Sequence, residues 1–122
     1  AEPAHLAGVL VVDNASTDET AAWLAGQSDP RLHVLSMETN GGGAGGFAAG
    51  MKHALHALAP DWLVLMDDDA RPETGALAAF HAEPRAAKDV WIAATYFPDG
   101  TICEMNRPWV NPFKTWGRIH LK

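Results

Sequence analysis

The sequence predicts an α/β fold, a mostly parallel sheet with helices on both faces, and three observations carry that prediction. Short unbroken apolar runs alternate with stretches of helical periodicity, the order that builds parallel strands joined by crossover helices. The apolar runs show no polar alternation, as expected of strands covered on both faces. Turn signals separate them, among them Asp29-Pro30, Pro60 and Pro98-Asp99-Gly100.

Each element follows in order. Gly8 to Val12 (GVLVV) is the first strand, and it runs into DNASTDET. There Ser16, followed three residues later by Glu19, forms a capping box and predicts a helix through Ala21, Ala22, Trp23 and Leu24 that ends at Gly26. Arg31 to Met37 (RLHVLSM) is the second strand. Next comes NGGGAGGFAAGM, Asn40 to Met51, with six glycines. Phe47, Met51, Ala54, Leu55 and Leu58 fall at helical spacing, so FAAGMKHALHALA predicts an amphipathic helix that Pro60 stops. Trp62 to Met66 (WLVLM) is a third buried strand, closed by Asp67-Asp68-Asp69. Pro72 and Glu73 open a helix over GALAAFHAE. Val90 to Phe97 reads as a fourth strand, turning at Pro98-Asp99-Gly100 into Thr101 to Met105 as a hairpin. From Arg107 the periodicity fades, so residues 1–106 carry the fold and 107–122 form an irregular segment.

Composition narrows the function. With 122 residues, 48% of them hydrophobic, the chain is one domain able to bury a core. A net charge of -6, with nine scattered basic residues, argues against a nucleic-acid partner, whose phosphates need Lys and Arg. A phosphorylated ligand would need a metal or backbone N–H groups instead. The single cysteine, Cys103, permits no intramolecular disulfide and fits a reducing compartment. No apolar run approaches the length of a membrane span. The expected location is the cytoplasm or the inner face of the membrane.

In open α/β sheets ligands sit beyond the carboxyl ends of the strands. That rule sets Asp13-Asn14, the glycine stretch and the Asp67 triplet along one rim. The glycines admit two chemistries. Gly41, Gly43 and Gly46 spell a formal G-x-G-x-x-G, and Asp67 follows at about the 20-residue spacing of a dinucleotide site. Against this, Met37-Glu38-Thr39-Asn40 separates the glycines from the strand, and a complete strand-helix unit precedes them. An NAD-linked oxidoreductase domain is therefore one alternative, and a non-catalytic nucleotide-binding or scaffold module is another. The triplet points elsewhere. Adjacent carboxylates repel one another unless a cation or solvent relieves them. Asp67 and Asp69 are spaced to reach one ion, and such hard oxygen ligands favour Mg²⁺ or Mn²⁺ shared with substrate phosphates.

Taken in order, VVDNASTDET, NGGGAGGFAAG and DWLVLMDDDARPE resemble the nucleotide-sugar half of an inverting family 2 glycosyltransferase with the Rossmann-related GT-A fold. The triplet and glycine loop are similar to the galactofuranosyltransferase and rhamnosyltransferase branch, and WIAATYFPDGTICEMN resembles its following strand pair, so the likeness spans Gly8 to Met105. It implies a donor-binding portion that serves transfer of galactofuranose or rhamnose from a UDP- or dTDP-linked sugar to a glycan acceptor in cell-envelope polysaccharide. Asp13 would contact the base, with Asn14 beside it, and Gly42, Gly43 and Gly45 would pass close to the nucleotide. Asp67 or Asp68 would lie near the ribose. Asp67 and Asp69 would stand in for the D-x-D carboxylates that hold Mn²⁺ or Mg²⁺ against the diphosphate.

Departures from the pattern matter too. AEPAHLAG is unlike the family's opening T-Y-N-R-like strand. No catalytic residue is assigned, because the acidic base is expected beyond the C-terminus, and His120 lies too early for the family's late metal ligand. The expectation is a piece truncated at both ends that binds a donor without completing transfer. His53 and His56 read as one helix face, Cys103 as a strand residue, and Trp109 and Trp116 as acceptor-stacking or core-covering rings.

Overall fold

A computed structural model describes residues 6–84, 86 and 90–104. The chain forms two compact units, Ala1–Pro84 and Arg85–Lys122. The first contains β1 (Val9–Asp13), α1 (Thr20–Ala25), β2 (Leu32–Ser36), α2 (Gly42–Ala57) and α3 (Ala76–Ala82). The chain is α/β, as its sequence predicts.

β1 and β2 pair in parallel, from Val9 opposite Leu32 to Asp13 opposite Ser36. Parallel pairing requires a crossover, which α1 supplies. The ladder is bracketed by the Val9 N–H donating to the Arg31 carbonyl at 2.9 Å and the Met37 N–H donating to the Asp13 carbonyl at 2.8 Å. Helix α2 packs on β1. Its buried residues, Gly46, Gly50 and Ala54, recur every fourth position and so form one stripe of the helix. The approach is close enough that a Cβ on Gly50 would lie 2.8 Å from Val12 Cγ2. Among the described residues the buried ones besides these glycines are Leu24, Ala54 and one charged group, Asp13.

Five elements differ from expectation. The capping box of Ser16 and Glu19 is not made: α1 starts at Thr20, and its N-cap Glu19 has no side-chain capping bond. Instead Asp13 Oδ1 accepts the Ser16 N–H and Asp18 Oδ1 accepts the Thr20 N–H, each at 2.9 Å. Aspartates satisfy these local amides and organise the turn in place of the serine. Helix α2 starts earlier than its apolar periodicity suggests, at Gly42, so most of the glycine stretch is helix and not loop. Residues 62–66 do not join the sheet, and Leu63, Val64, Leu65 and Met66 are exposed. An apolar run marks a segment suited to pairing, but the pairing itself depends on long-range partners that local sequence does not name.

Helix α3 begins at Ala76, behind Gly75 in the left-handed region at φ 84°, and not at Pro72. Its Phe80 ring meets Trp62 edge-on with centroids 5.5 Å apart. In the second unit the fourth strand is reduced to an antiparallel bridge between Tyr96 and Ile102. The hairpin is present. The Phe97 N–H donates to the Thr101 carbonyl at 2.8 Å, and Asp99 Oδ1 accepts the Thr101 N–H at 2.8 Å and its hydroxyl at 2.7 Å. Gly100 completes this three-residue loop at φ 85°. The irregular segment expected from 107, with Trp109, Trp116 and His120, lies outside the described residues. Among the described residues no helix is long and apolar enough to cross a membrane.

Candidate functional site

Strand β1 delivers Asp13 and Asn14 to the carboxyl edge of the sheet. Asp13 is 6% exposed, and burial of a carboxylate is tolerated only with hydrogen bonds to its charge. Bonds from the Ser16 side chain and backbone hold its carboxyl below the usual carboxylate range, outweighing burial and the neighbouring charge of Asp18. Asp13 is therefore an ionised group fixed at the start of the turn. The chain reverses just beyond Asn14, where Ala15 sits at φ 58°.

Asn14 crosses to the start of α2. Its Oδ1 accepts the Gly41 N–H at 3.0 Å, while its Nδ2 donates to the Gly42 carbonyl at 3.0 Å and to Asn40 Oδ1 at 3.2 Å. Asn40 Oδ1 also accepts the Gly42 N–H at 2.8 Å. Asn40 was not among the sequence-predicted site residues, although an Asn before a glycine run is the usual signal of a side chain that bonds its own backbone two residues on.

The glycines divide by what surrounds them. At Gly46 and Gly50 a Cβ would meet Asn14 Nδ2 at 3.5 Å and Val12 Cγ2 at 2.8 Å, so these two let the helix pack. Gly42 opens the helix at φ +67°, where only glycine sits without strain. At Gly42, Gly43 and Gly45 an added Cβ would have nothing within 4 Å. Internal packing does not account for the missing side chains of Gly43 and Gly45. This bare surface is also the positive end of a 16-residue helix with no acidic residue in its first turn. Helix geometry leaves the Gly43 and Ala44 N–H groups without intrahelical acceptors.

The Asp triplet occupies its own turn, closed by the Ala70 N–H donating to the Asp67 carbonyl at 3.2 Å. Asp67, Asp68 and Asp69 are all exposed. Hydrogen bonds join Asn14 to the glycine turn, and none among the described residues joins either to the triplet. Among the described residues no group of three His, Cys, Asp or Glu side chains could hold a metal ion. The triplet thus offers hard oxygens and no complete protein cage. That donor set fits Mg²⁺ or Mn²⁺ taking its remaining ligands from phosphate and water. His53 and His56 line a shallow groove with Leu35, Met37, Ala49 and Lys52.

The profile of Glycosyl transferase family 2 matches residues 6–118, nearly the whole chain. The chain is 48% identical over 71 residues to galactofuranosyltransferase GlfT1 of Mycolicibacterium smegmatis, covering 58% of this chain and 22% of that protein. Its counterpart in Mycobacterium tuberculosis is 40% identical over 79 residues, covering 63% and 24%. An undecaprenyl-phosphate mannosyltransferase of Micrococcus luteus is 34% identical over 110 residues, covering 88% and 44%. The chain therefore spans less than half the length of these relatives. No solved structure matches.

Proposed function

The chain belongs to glycosyl transferase family 2, and from that premise we propose that it forms the donor-binding part of a metal-dependent, inverting enzyme. The donor is a nucleoside-diphosphate sugar, UDP- or dTDP-linked, with galactofuranose favoured by the names of two relatives and rhamnose the second choice. The acceptor is a glycan of the cell envelope, reached at the cytoplasmic face of the membrane. The observation that carries this reading is the bare face of Gly43 and Gly45 at the start of α2, beside the Asp13-Asn14 turn.

On this reading each group has one task. The ionised Asp13 anchors the base-side turn and is the proposed contact to the base. Gly42, Gly43 and Gly45 leave room for the diphosphate, whose oxygens accept the unspent N–H groups and gain from the helix dipole. Asp67 or Asp68 would lie toward the ribose. Asp67 and Asp69 would hold the divalent cation, which when bound neutralises the departing nucleoside diphosphate. No described residue is assigned as the acidic base that deprotonates the acceptor.

Calorimetric titration tests the reading. UDP and dTDP are titrated with and without Mn²⁺ into the wild type and Asp69→Ala, with NAD⁺ and a mannosyl donor as comparisons. Metal-dependent binding of a nucleoside diphosphate that Asp69→Ala abolishes supports the proposal. Metal-independent NAD⁺ binding contradicts it.

A further inference from the structure

We propose that Asn14 is a positioning residue: together with Asn40 it clamps the start of α2 to the end of β1 and fixes the bare glycine face on which a donor diphosphate rests. The inference rests on the donor-site reading and addresses what holds that site in shape. The clamp has four bonds. The Gly41 N–H donates to Asn14 Oδ1 and the Gly42 N–H to Asn40 Oδ1, at 3.0 and 2.8 Å. Asn14 Nδ2 donates to the Gly42 carbonyl at 3.0 Å and to Asn40 Oδ1 at 3.2 Å. Two side chains, 26 positions apart, thus grip both faces of the Gly41-Gly42 backbone.

The residue type follows from this arrangement. Position 14 must supply two donated hydrogens and one acceptor from a single short planar group, which asparagine does and aspartate or leucine does not. Both Nδ2 hydrogens are committed to protein acceptors, so Asn14 acts on a bound nucleotide through the glycines. Glycines without such a grip lose their conformation readily because so much of φ/ψ space is open to them. Gly42, at φ +67°, is the residue most exposed to that loss. The clamp therefore sets where the Gly43 and Ala44 N–H groups stand. The close packing of Asn14 on Gly46, 3.5 Å from a hypothetical Cβ, ties the same amide to the floor of α2.

The test uses the whole protein carrying Asn14→Ala, Asn40→Ala or both, none of which changes charge. Thermal unfolding locates the melting transition of each variant, and amide hydrogen exchange at Gly41 and Gly42 and UDP affinity in Mn²⁺ are measured below it. Asn14→Ala is expected to speed exchange at both glycines by about tenfold or more. It also weakens UDP binding by about tenfold at equal folded fraction. The double variant loses no more than about twofold beyond the weaker single, because a clamp broken once has little left to lose. Additive losses, or faster glycine exchange with unchanged UDP affinity, would reduce Asn14 to an ordinary structural joint and overturn the proposal. If Asn14→Ala does not fold, exchange of the Asn14 side-chain amide in the unaltered protein decides. Slow exchange supports the clamp and solvent-rate exchange overturns it. A wild type that binds no nucleoside diphosphate sinks the donor reading separately, while the exchange measurements still judge the clamp.

Discussion

Gly50 of α2 and Val12 of β1 meet so closely that a single added methyl group would sit 2.8 Å from Val12 Cγ2. The contact decides how the helix lies on the strand that carries Asp13 and Asn14. Val12 is β-branched and stiff at χ1, so it does not swing aside cheaply.

Gly50→Ala sets two effects against each other. Helix propensity favours alanine by about 1 kcal/mol, whereas overpacking costs about 1–3 kcal/mol. The clash is with a stiff strand residue, so the net expectation is destabilisation, with Val12→Ala in the same chain recovering part of it. Urea unfolding of the two single variants and the double checks this. A Gly50→Ala protein more stable than wild type contradicts the packing described.

Gly45→Ala should do the reverse. Nothing lies within 4 Å of a Cβ there, so the propensity gain of about 1 kcal/mol is largely kept. If the face receives a diphosphate, the same methyl weakens UDP binding, by an expected tenfold, about 1.4 kcal/mol. Greater stability with weaker binding is the predicted pair. Greater stability with unchanged affinity would mean that no ligand approaches Gly45.

Asp13 provides a pH test. Its carboxyl is held below the usual range by hydrogen bonds from the Ser16 side chain and backbone. The sign follows from the lowered value: the folded state binds fewer protons than the unfolded one, so the contribution is complete above the ordinary aspartate pKa. It is lost as pH falls through the depressed folded value. An NMR titration should find the Asp13 carboxyl carbon and the Ser16 amide moving together in that window. Asp13→Asn keeps an oxygen acceptor for the Ser16 N–H and should remove the titration from Ser16. A Ser16 amide that titrates as before would assign the transition to another group.

Much of this was legible in the sequence, for reasons that differ by element. The β1-α1-β2 unit was readable because the unbroken apolar run GVLVV and the strand-like RLHVLSM, bounded by Asp29-Pro30, lie on either side of a short helical stretch. Gly100 and Asp99 announced their hairpin through local turn chemistry, which needs no distant partner. Helix α2 begins before its apolar periodicity does, because glycine carries none. Its start is set by Asn14 and Asn40, and Asn14 comes from elsewhere in the chain. The run at 62–66 has the composition of a sheet strand, and composition does not specify pairing. Within the candidate site, Asp13, Asn14 and the glycines were visible as residue types. The division of those glycines into packed and bare could not be read, since it depends on which helix face meets Val12 and Asn14.

The central claim is that the bare glycine turn and the aspartate turn serve one nucleoside diphosphate and its cation. Paramagnetic relaxation measures it most directly, with substoichiometric Mn²⁺ added to isotope-labelled protein in the presence and absence of UDP. With UDP, the amides of Asp67, Asp69, Gly43 and Gly45 should broaden together, and Asp69→Ala should remove the effect from both turns. Broadening confined to the aspartates, with the glycine amides untouched, would contradict the account.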